Sequence, residues 1–326
     1  MPTASVIVPA FNVAKTLRAT LDALCAQTFR DVEIIVVNDG STDTTASLLR
    51  DYANRPHIKV ITQRNRGLAG ARNTGIAAAS GEFIGFCDAD DLWLPEKLAE
   101  HVAHLQSAPQ IGVSYSGSCM IDDNGIALGI NQSPRLKNIT AAHIFKRNPI
   151  GNGSAPVIRR AVFDAIAHRP ASEQSRDWYF DETFRQSEDI ECWLRIALTT
   201  GWHFEGIEGH LTQYRISAGA LSSATDLQLA AWERMVAKLA LISPGFFAKH
   251  TKTARAYQLR YLARRAISDK DTARAVDLVA QSVKASWLPF WEEPRKTLTT
   301  IAAAAILRTA GPLALDALME KRGAKS

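Results

Sequence analysis

The sequence is poor in cysteine and has no long uninterrupted apolar run. Its four cysteines stand at 25, 87, 119 and 192, with no Cys-x-x-Cys pair. That usage excludes a disulfide framework and a zinc ribbon, and points to a reducing cytoplasm. The most apolar late stretch, Thr297 to Leu307, is bounded by Lys296 and Arg308. It falls short of the ~20 residues that cross a bilayer, so a polytopic membrane protein is excluded and no spanning helix is expected. The N-terminus has no basic segment and runs directly into Val6-Ile-Val8, so no signal peptide is expected. Several catalytic signatures are missing as well. Gly70 and Gly75 have phosphate-loop spacing, but Ile76 and Ala77 replace the required Lys-Ser/Thr. Gly151 and Gly153 begin a dinucleotide fingerprint that fails at Pro156. There is no His-Glu-x-x-His and no Gly-x-Ser-x-Gly.

What is present is an ordinary globular balance. With 46% hydrophobic and 22% charged residues, the 326-residue chain can bury a large core, enough for one large domain and an appendage. Its net charge of +5 is unevenly spread. Residues 1–225 hold 21 Lys and Arg against 24 Asp and Glu, whereas residues 226–326 hold 17 against 9. The basic tail suits an acidic partner, and charge alone does not choose between phospholipid headgroups and nucleic acid. Without aromatic interleaving or a known binding motif, nucleic acid is not expected.

The first 116 residues repeat one pattern. β-Branched runs at Ser5–Val8, Val32–Val37, Ile58–Ile61 and Phe83–Phe86 alternate with amphipathic stretches at Lys15–Ala26, Thr44–Ala53, Leu68–Ala79 and Pro95–Gln106. This predicts an α/β fold with right-handed crossovers and a mostly parallel sheet. Ligands of such sheets bind beyond the carboxyl ends of the strands. Four loops therefore matter: Pro9–Asn12, Asn38–Asp43, Gln63–Gly67 leading into Arg72, and Cys87–Asp91. Thr42 or Asp43 suits the N-cap of the second helix. From 110 to 215 the pattern loosens, with a polar bend at Asn148–Gly153 and one clear helix over Ser187–Thr199. Beyond Ser222 alanine, leucine and arginine recur at helical spacing, predicting an all-helical appendage with a hairpin of Tyr257–Ser268 and Thr272–Ser286 around Asp269–Asp271.

Each motif also has a plainer explanation. Nineteen aspartates in 326 residues give about one Asp-x-Asp by chance, and Asp269–Asp271 is a second instance. Asp88-Ala89-Asp90-Asp91 stands out because it follows a buried-strand signal on the ligand-binding edge, where two carboxylates can offer oxygens to a hard divalent cation. Asp39 has the same placement and suits a base or ribose, although an Asx-turn in Asp-Gly-Ser also explains it. Arg72, expected in the first turn of a helix, suits an anion, or is a surface arginine. Glu188-Asp189 starts a helix, where acids complement the macrodipole or deprotonate a hydroxyl. Tyr214-Arg215 with Ser217, Ser222 and Ser223 reads as a phosphate-facing loop or a polar linker.

Together these segments resemble the inverting family 2 glycosyltransferases with the GT-A fold. The resemblance runs through Ser5–Asn12, Val36–Asp43, Asn65–Gly75, Gly81–Asp91 and Ser187–Asp189, in order, over roughly residues 4–220. It implies a Rossmann-like, mostly parallel mixed sheet in residues 1–222, with a nucleotide-sugar half at 1–110 and an acceptor half at 111–222, and helices over 223–326. By the same resemblance Pro9, Ala10 and Asn12 line the nucleotide and Asp39 binds its base. Asn65, Gly67 and Arg72 complete the base and phosphate side. Asp88 and the adjoining Ala89 face the ribose, Asp90 with Asp88 holds Mn²⁺ or Mg²⁺, and Arg215 faces the diphosphate. Asp189 is the general base, with Glu188 orienting the acceptor or substituting as base.

The function implied is transfer of one sugar from a nucleotide-diphosphate donor, UDP favoured, to a hydroxyl of a glycan or lipid-linked acceptor in cell-surface polysaccharide synthesis. Gln213-Tyr-Arg215 departs from the Gln-x-x-Arg-Trp of processive synthases, which implies one addition per encounter. The expected location is cytoplasmic. A peripheral contact with the inner membrane face through the basic tail is left open, as is a catalytically inactive binding module.

Overall fold

The computed structural model describes residues 1–216 and 225–323; Ser217, Ser222 and Ser223 lie outside the described residues. The chain divides into two compact units, Met1–Ile144 with Asn148–Ala220, and Phe145–Arg147 with Leu221–Ser326.

The first unit begins with the expected alternation: β1 (Ala4–Ala10), α1 (Leu17–Cys25), β2 (Val32–Asn38), α2 (Thr45–Tyr52), β3 (Ile58–Thr62), α3 (Gly67–Ala78) and β4 (Phe83–Phe86). It continues through β5 (Leu92–Trp93), α4 (Lys97–Ser107), β6 (Ile111–Tyr115), β7 (Ser118–Ile121), β8 (Ala127–Gln132), α5 (Ala141–Lys146), β9 (Val157–Arg159), α6 (Arg160–Ile166), α7 (Glu188–Thr199), β10 (His203–Gly206) and β11 (Thr212–Arg215). Seven strands form one mixed sheet in the order β10-β6-β9-β4-β1-β2-β3. β1 pairs in parallel with β2 and β4, and β9 runs antiparallel to β4 and β6. A smaller sheet follows the order β5-β11-β7-β8.

Buried strand residues alternate between the two faces of the sheet, as a period of two requires. Val6, Val8, Ile34 and Val36 face the large core with Leu17, Leu21 and Leu24 of α1, which lie at helical spacing on one stripe. Ile35 and Val37 pack on the other face against Ala71 of α3. Each such side chain contributes roughly 1.5–3 kcal/mol on burial. Arg72 falls in the second turn of α3, because the helix starts at Gly67. Thr44 occupies the N-cap of α2, while Asp43 Oδ1 accepts from the Thr45 amide at 2.9 Å.

α4 carries a fully buried lysine. Lys97 Nζ donates to the Ala155 carbonyl at 2.7 Å and lies 4.9 Å from the Trp93 ring centroid. Burial lowers its pKa to about 7. Between that value and the ordinary lysine value the unfolded chain binds more protons than the folded one, so stability rises with pH across that window. Lys97→Met is expected to flatten this slope, read as urea midpoints of both proteins at pH values from about 7 to 10.5.

The second unit contains α8 (Thr225–Ala240), α9 (Pro244–Ser268), α10 (Thr272–Ala285), α11 (Leu288–Glu292) and α12 (Pro294–Gly323). α9 and α10 form the expected hairpin, with Asp271 Oδ1 accepting from the Arg274 amide at 3.0 Å as N-cap. α12 corrects the expectation that no helix is of membrane-spanning length. Arg308 does not end it, and Pro294–Ala317 is long and apolar enough to cross a bilayer by length and composition. An arginine such as Arg308 inside an alanine- and leucine-rich helix costs little helical propensity. The helix kinks where Gly311 adopts φ 80° before Pro312. Ala304, Leu307 and Leu315 pack into a core with Leu259, Leu262 and Leu278.

Candidate active site

The carboxyl ends of β1, β2 and β4 bring the sequence-predicted loops to one edge, as parallel topology requires. Pro9 and Ala10 are buried at the end of β1. Asn12, at φ 55°, is exposed; its Oδ1 accepts from the Thr42 amide at 2.8 Å, joining two loops. Asp39, just past β2, is 2% exposed. Its Oδ1 accepts from Gln63 Nε2 at 2.6 Å and the Arg66 amide at 2.9 Å, and its Oδ2 from the Gly67 amide at 2.8 Å. Gly67 presents that amide from φ +76°, a conformation that side chains resist. Asp39 Oδ2 retains a lone pair for a ligand donor. Asn65 is exposed beside this turn.

The loop after β4 gives its three aspartates different tasks. Asp88 Oδ1 accepts from Arg72 Nη2 at 3.0 Å. Asp91 is fully buried, with Oδ2 accepting from Ser154 Oγ at 2.5 Å and Oδ1 from the Arg215 amide at 2.9 Å. The Asp90 carboxylate forms no ion pair among the described residues, and burial together with Asp88 pushes its pKa up to about 6. Ala89, between them, is buried. The Arg215 guanidinium donates to the carbonyls of Asp90 at 2.8 Å and Asp122 at 2.5 Å, pinning the loop from behind.

Arg72 ties this loop to α7. Its Nη1 donates to Glu188 Oε1 at 2.9 Å, and its side chain is 3% exposed. The arginine is thus a buried bridge rather than a surface residue, with its Nε buried and unpartnered. Ser187 turns the chain into α7 through a left-handed conformation at φ 61°, ψ 21°, which sets Glu188 and Asp189 in the first turn. Burial, opposed by Arg72 and reinforced by Asp189, pushes Glu188 up to about 7. Asp189 is raised by burial against the pull of Arg72, and its Oδ1 accepts from the Ile190 amide at 2.8 Å.

Among the described residues no three His, Cys, Asp or Glu side chains form a metal-holding group. The donor set still fits a divalent cation of the kind that binds one or two carboxylates and completes its shell with phosphates and water. Asp90 offers hard carboxylate oxygens outside any ion pair among the described residues, and burial and Asp88 raise its pKa against the pull of Arg215.

The sequence profile described as glycosyl transferase family 2 matches residues 5–167, half of the chain. The chain belongs to that family. An uncharacterized glycosyltransferase of Nostoc is 38% identical over 146 residues, covering 44% of this chain and 45% of that protein, so the chain spans less than half of that relative's length. The Escherichia coli protein WfaP, named as a UDP-Glc:α-D-GlcNAc-diphosphoundecaprenol β-1,3-glucosyltransferase, is 29% identical over 223 residues, covering 68% of this chain and 81% of its own. Staphylococcus aureus TarS, solved with UDP-GlcNAc, superposes with a TM-score of 0.59 at 18% identity, covering 94% of this chain and 92% of that one. The mannosyltransferase PcManGT of Pyrobaculum calidifontis, solved with GDP-Man and Mn²⁺, gives 0.56 at 20% identity, covering 94% and 86%. These likenesses establish the GT-A fold.

In this family 2 chain α7 lies beyond the segment that the profile matches. Several residues around its site gave no sequence signal. The bend that failed as a dinucleotide fingerprint forms a wall: Ser154 Oγ accepts from the Asp88 amide at 2.8 Å while donating to Asp91. A Cβ at Gly153 would come within 2.2 Å of Arg72 Nη2 and 2.9 Å of Asp88 Oδ2, so a side chain there must push the guanidinium out of its bridge. Asn73 of α3 accepts from the Phe180 amide at 2.8 Å and donates to Glu182 Oε1 at 2.9 Å, docking the segment ahead of α7. Ser154→Ala is expected to leave the glycosyltransferase fold intact at a cost of about 1–3 kcal/mol, because the buried Asp91 loses a donor. Thermal unfolding and donor binding, measured side by side, check this: both fall together if the serine holds the loop.

Proposed function

We propose that this chain is an inverting, non-processive glycosyltransferase that moves one sugar from a nucleotide-diphosphate donor to a hydroxyl acceptor. The observation that carries this reading is the Asp88–Arg72–Glu188 bridge, which sets the donor-side aspartates beside the acidic start of α7. Pro9, Ala10, Asn12, Asp39, Asn65 and Gly67 hold the nucleotide in this reading. UDP is the favoured nucleotide, a preference supported by the UDP-GlcNAc bound to TarS. Asp90, with Asp88 beside it, would hold a divalent cation, which would supply positive charge against the leaving diphosphate. Arg215 contributes by fixing the backbone that carries Asp90.

Asp189 accepts the acceptor's proton as the hydroxyl attacks the anomeric carbon from the face opposite the diphosphate, so the anomeric centre inverts. Its raised pKa places it nearer neutrality, where a general base works best. Glu188, held by Arg72, orients the acceptor. Held in line, donor and acceptor avoid much of the entropy of a bimolecular encounter. The acceptor is a glycan or a lipid-linked sugar, presented at the cytoplasmic face of a membrane during cell-surface polysaccharide synthesis; the name of WfaP supports the lipid-linked form.

The test is a thermal-shift panel of UDP-, GDP- and dTDP-sugars with and without Mn²⁺. A ligand at about 100 times its Kd stabilises by roughly 2.7 kcal/mol. A metal-dependent shift with one nucleotide, abolished by Asp90→Ala, is the expected outcome. No shift with any donor would overturn the proposal in favour of a degenerate binding module.

A further inference from the structure

The helical unit carries a cluster of cations that glycosyl transfer does not use. Glu293, between α11 and α12, is engaged by Arg147, by Arg260 and, at 3.0 Å, by Lys296 Nζ. Arg260 Nη1 also donates to Thr297 Oγ1 at 2.6 Å, and the exposed Arg264 follows one turn later on α9. Lys146 Nζ reaches Glu292 Oε2 at 2.8 Å, and Arg295 is exposed next to Lys296. Five cations, Lys146, Arg147, Arg260, Arg264 and Lys296, thus gather around two carboxylates and the Tyr257 hydroxyl, which itself donates to Glu292. Their excess charge is felt locally: burial, with Arg147 and Arg264, lowers Arg260 to about 10, and Lys296 is lowered by burial and the same neighbours.

Beside the cluster the surface turns apolar. Trp291 is 81% exposed, Trp287 64% and Leu298 57%, and Trp287 stacks on Phe290 at 5.2 Å between centroids. The apolar stretch of α12 is only 22% buried, whereas a core helix would be mostly covered. Exposed tryptophans bordered by arginine and lysine suit the boundary between headgroups and acyl chains. Guanidinium pairs match phosphate oxygens in geometry as well as charge. A phosphate free in solution accounts for the cations but leaves the two tryptophans unexplained.

We propose that this face of the helical unit docks on an anionic phospholipid bilayer, with Arg147, Arg264, Arg295 and Lys296 holding headgroup phosphates and Trp287 and Trp291 entering the acyl boundary. The inference rests on the membrane-side acceptor reading above and names the surface that serves it. α12 lies along the bilayer rather than across it, because Ala304, Leu307 and Leu315 are committed to the core of the unit.

The test is co-sedimentation of the full chain with vesicles of phosphatidylcholine alone and with about one third phosphatidylglycerol. Retention on the anionic vesicles only, weakened by salt, is expected. Each Lys or Arg near an anionic surface contributes about fivefold in affinity, so Arg264→Glu with Lys296→Glu should weaken retention by at least about tenfold. Trp291→Ser should weaken it further. An unchanged helical circular dichroism signal and melting temperature report that the variants are folded, and the thermal shift with nucleotide-sugar is read beside them. A chain that binds donor but ignores anionic vesicles overturns the docking proposal and leaves the transferase reading standing. Docking without donor binding does the reverse. Equal retention on neutral vesicles, or saturable binding of inorganic phosphate without vesicle retention, also overturns it.

Discussion

Asp189→Asn is expected to lower kcat by roughly 10²–10⁴-fold while donor affinity stays within a factor of about two, because general base catalysis contributes about that much. The amide keeps the size of the carboxylate and can still accept from Ile190, so the start of α7 should survive. Glu188→Gln tests the alternative assignment. Glu188 is tied to Arg72, so its loss should raise the acceptor KM more than it lowers kcat. Equal kcat losses in both variants would mean the two carboxylates act as one unit. If only the glutamine variant is dead, Glu188 is the base. The pH profile gives a second check. Burial raises Asp189, so the acid limb of kcat should lie closer to neutrality than the ordinary aspartate value, with activity falling as pH drops and the base is protonated.

The second large effect is structural and catalytic together. Arg72→Met should destabilise the first unit by about 3–5 kcal/mol, because it removes the cation between two largely buried carboxylates and leaves both uncompensated. At roughly 2–4 °C per kcal/mol for a unit of this size, calorimetry would show a fall on the order of 10 °C. The loss should shrink as pH falls, because Glu188 without its arginine takes up a proton more readily in the folded state than in the unfolded one. Arg72→Lys keeps the charge but loses the fork that reaches Glu188 and Asp88 at once, so its stability should be intermediate. Its kcat should fall further than its stability explains, since the two carboxylates are no longer held in common. A variant as stable as wild type would refute the bridge as a structural element.

Much of the edge at the carboxyl ends of the strands was legible in the chain because its loops are local. A β-branched run followed by turn formers and a helical stretch places Asp39, Gly67 and the aspartates after β4 on one edge wherever the strands lie side by side. Pairings across long separations were not legible. Arg72 reads as an exposed helical arginine until Glu188, 116 residues away, is folded against it. Ser154 reads as part of a polar bend until its hydroxyl is found between Asp88 and Asp91. β9 is only three residues long, too short for a period to be counted, yet its antiparallel insertion between β4 and β6 is what carries Ser154 to the site. The length of α12 departs from the expectation because the helix runs from Pro294 through Lys296 and Arg308, neither of which breaks it.

The α/β alternation, the loops on the ligand edge, the acidic doublet opening α7 and the basic helical tail are readable from the chain, since each depends on neighbours within a few turns. Folding in three dimensions sets which aspartate is paired, which is buried and which is left open, and brings Arg147, Arg260 of α9 and Lys296 of α12 round Glu293. Those outcomes depend on desolvation and on contacts between segments far apart in the chain, and no local pattern encodes either.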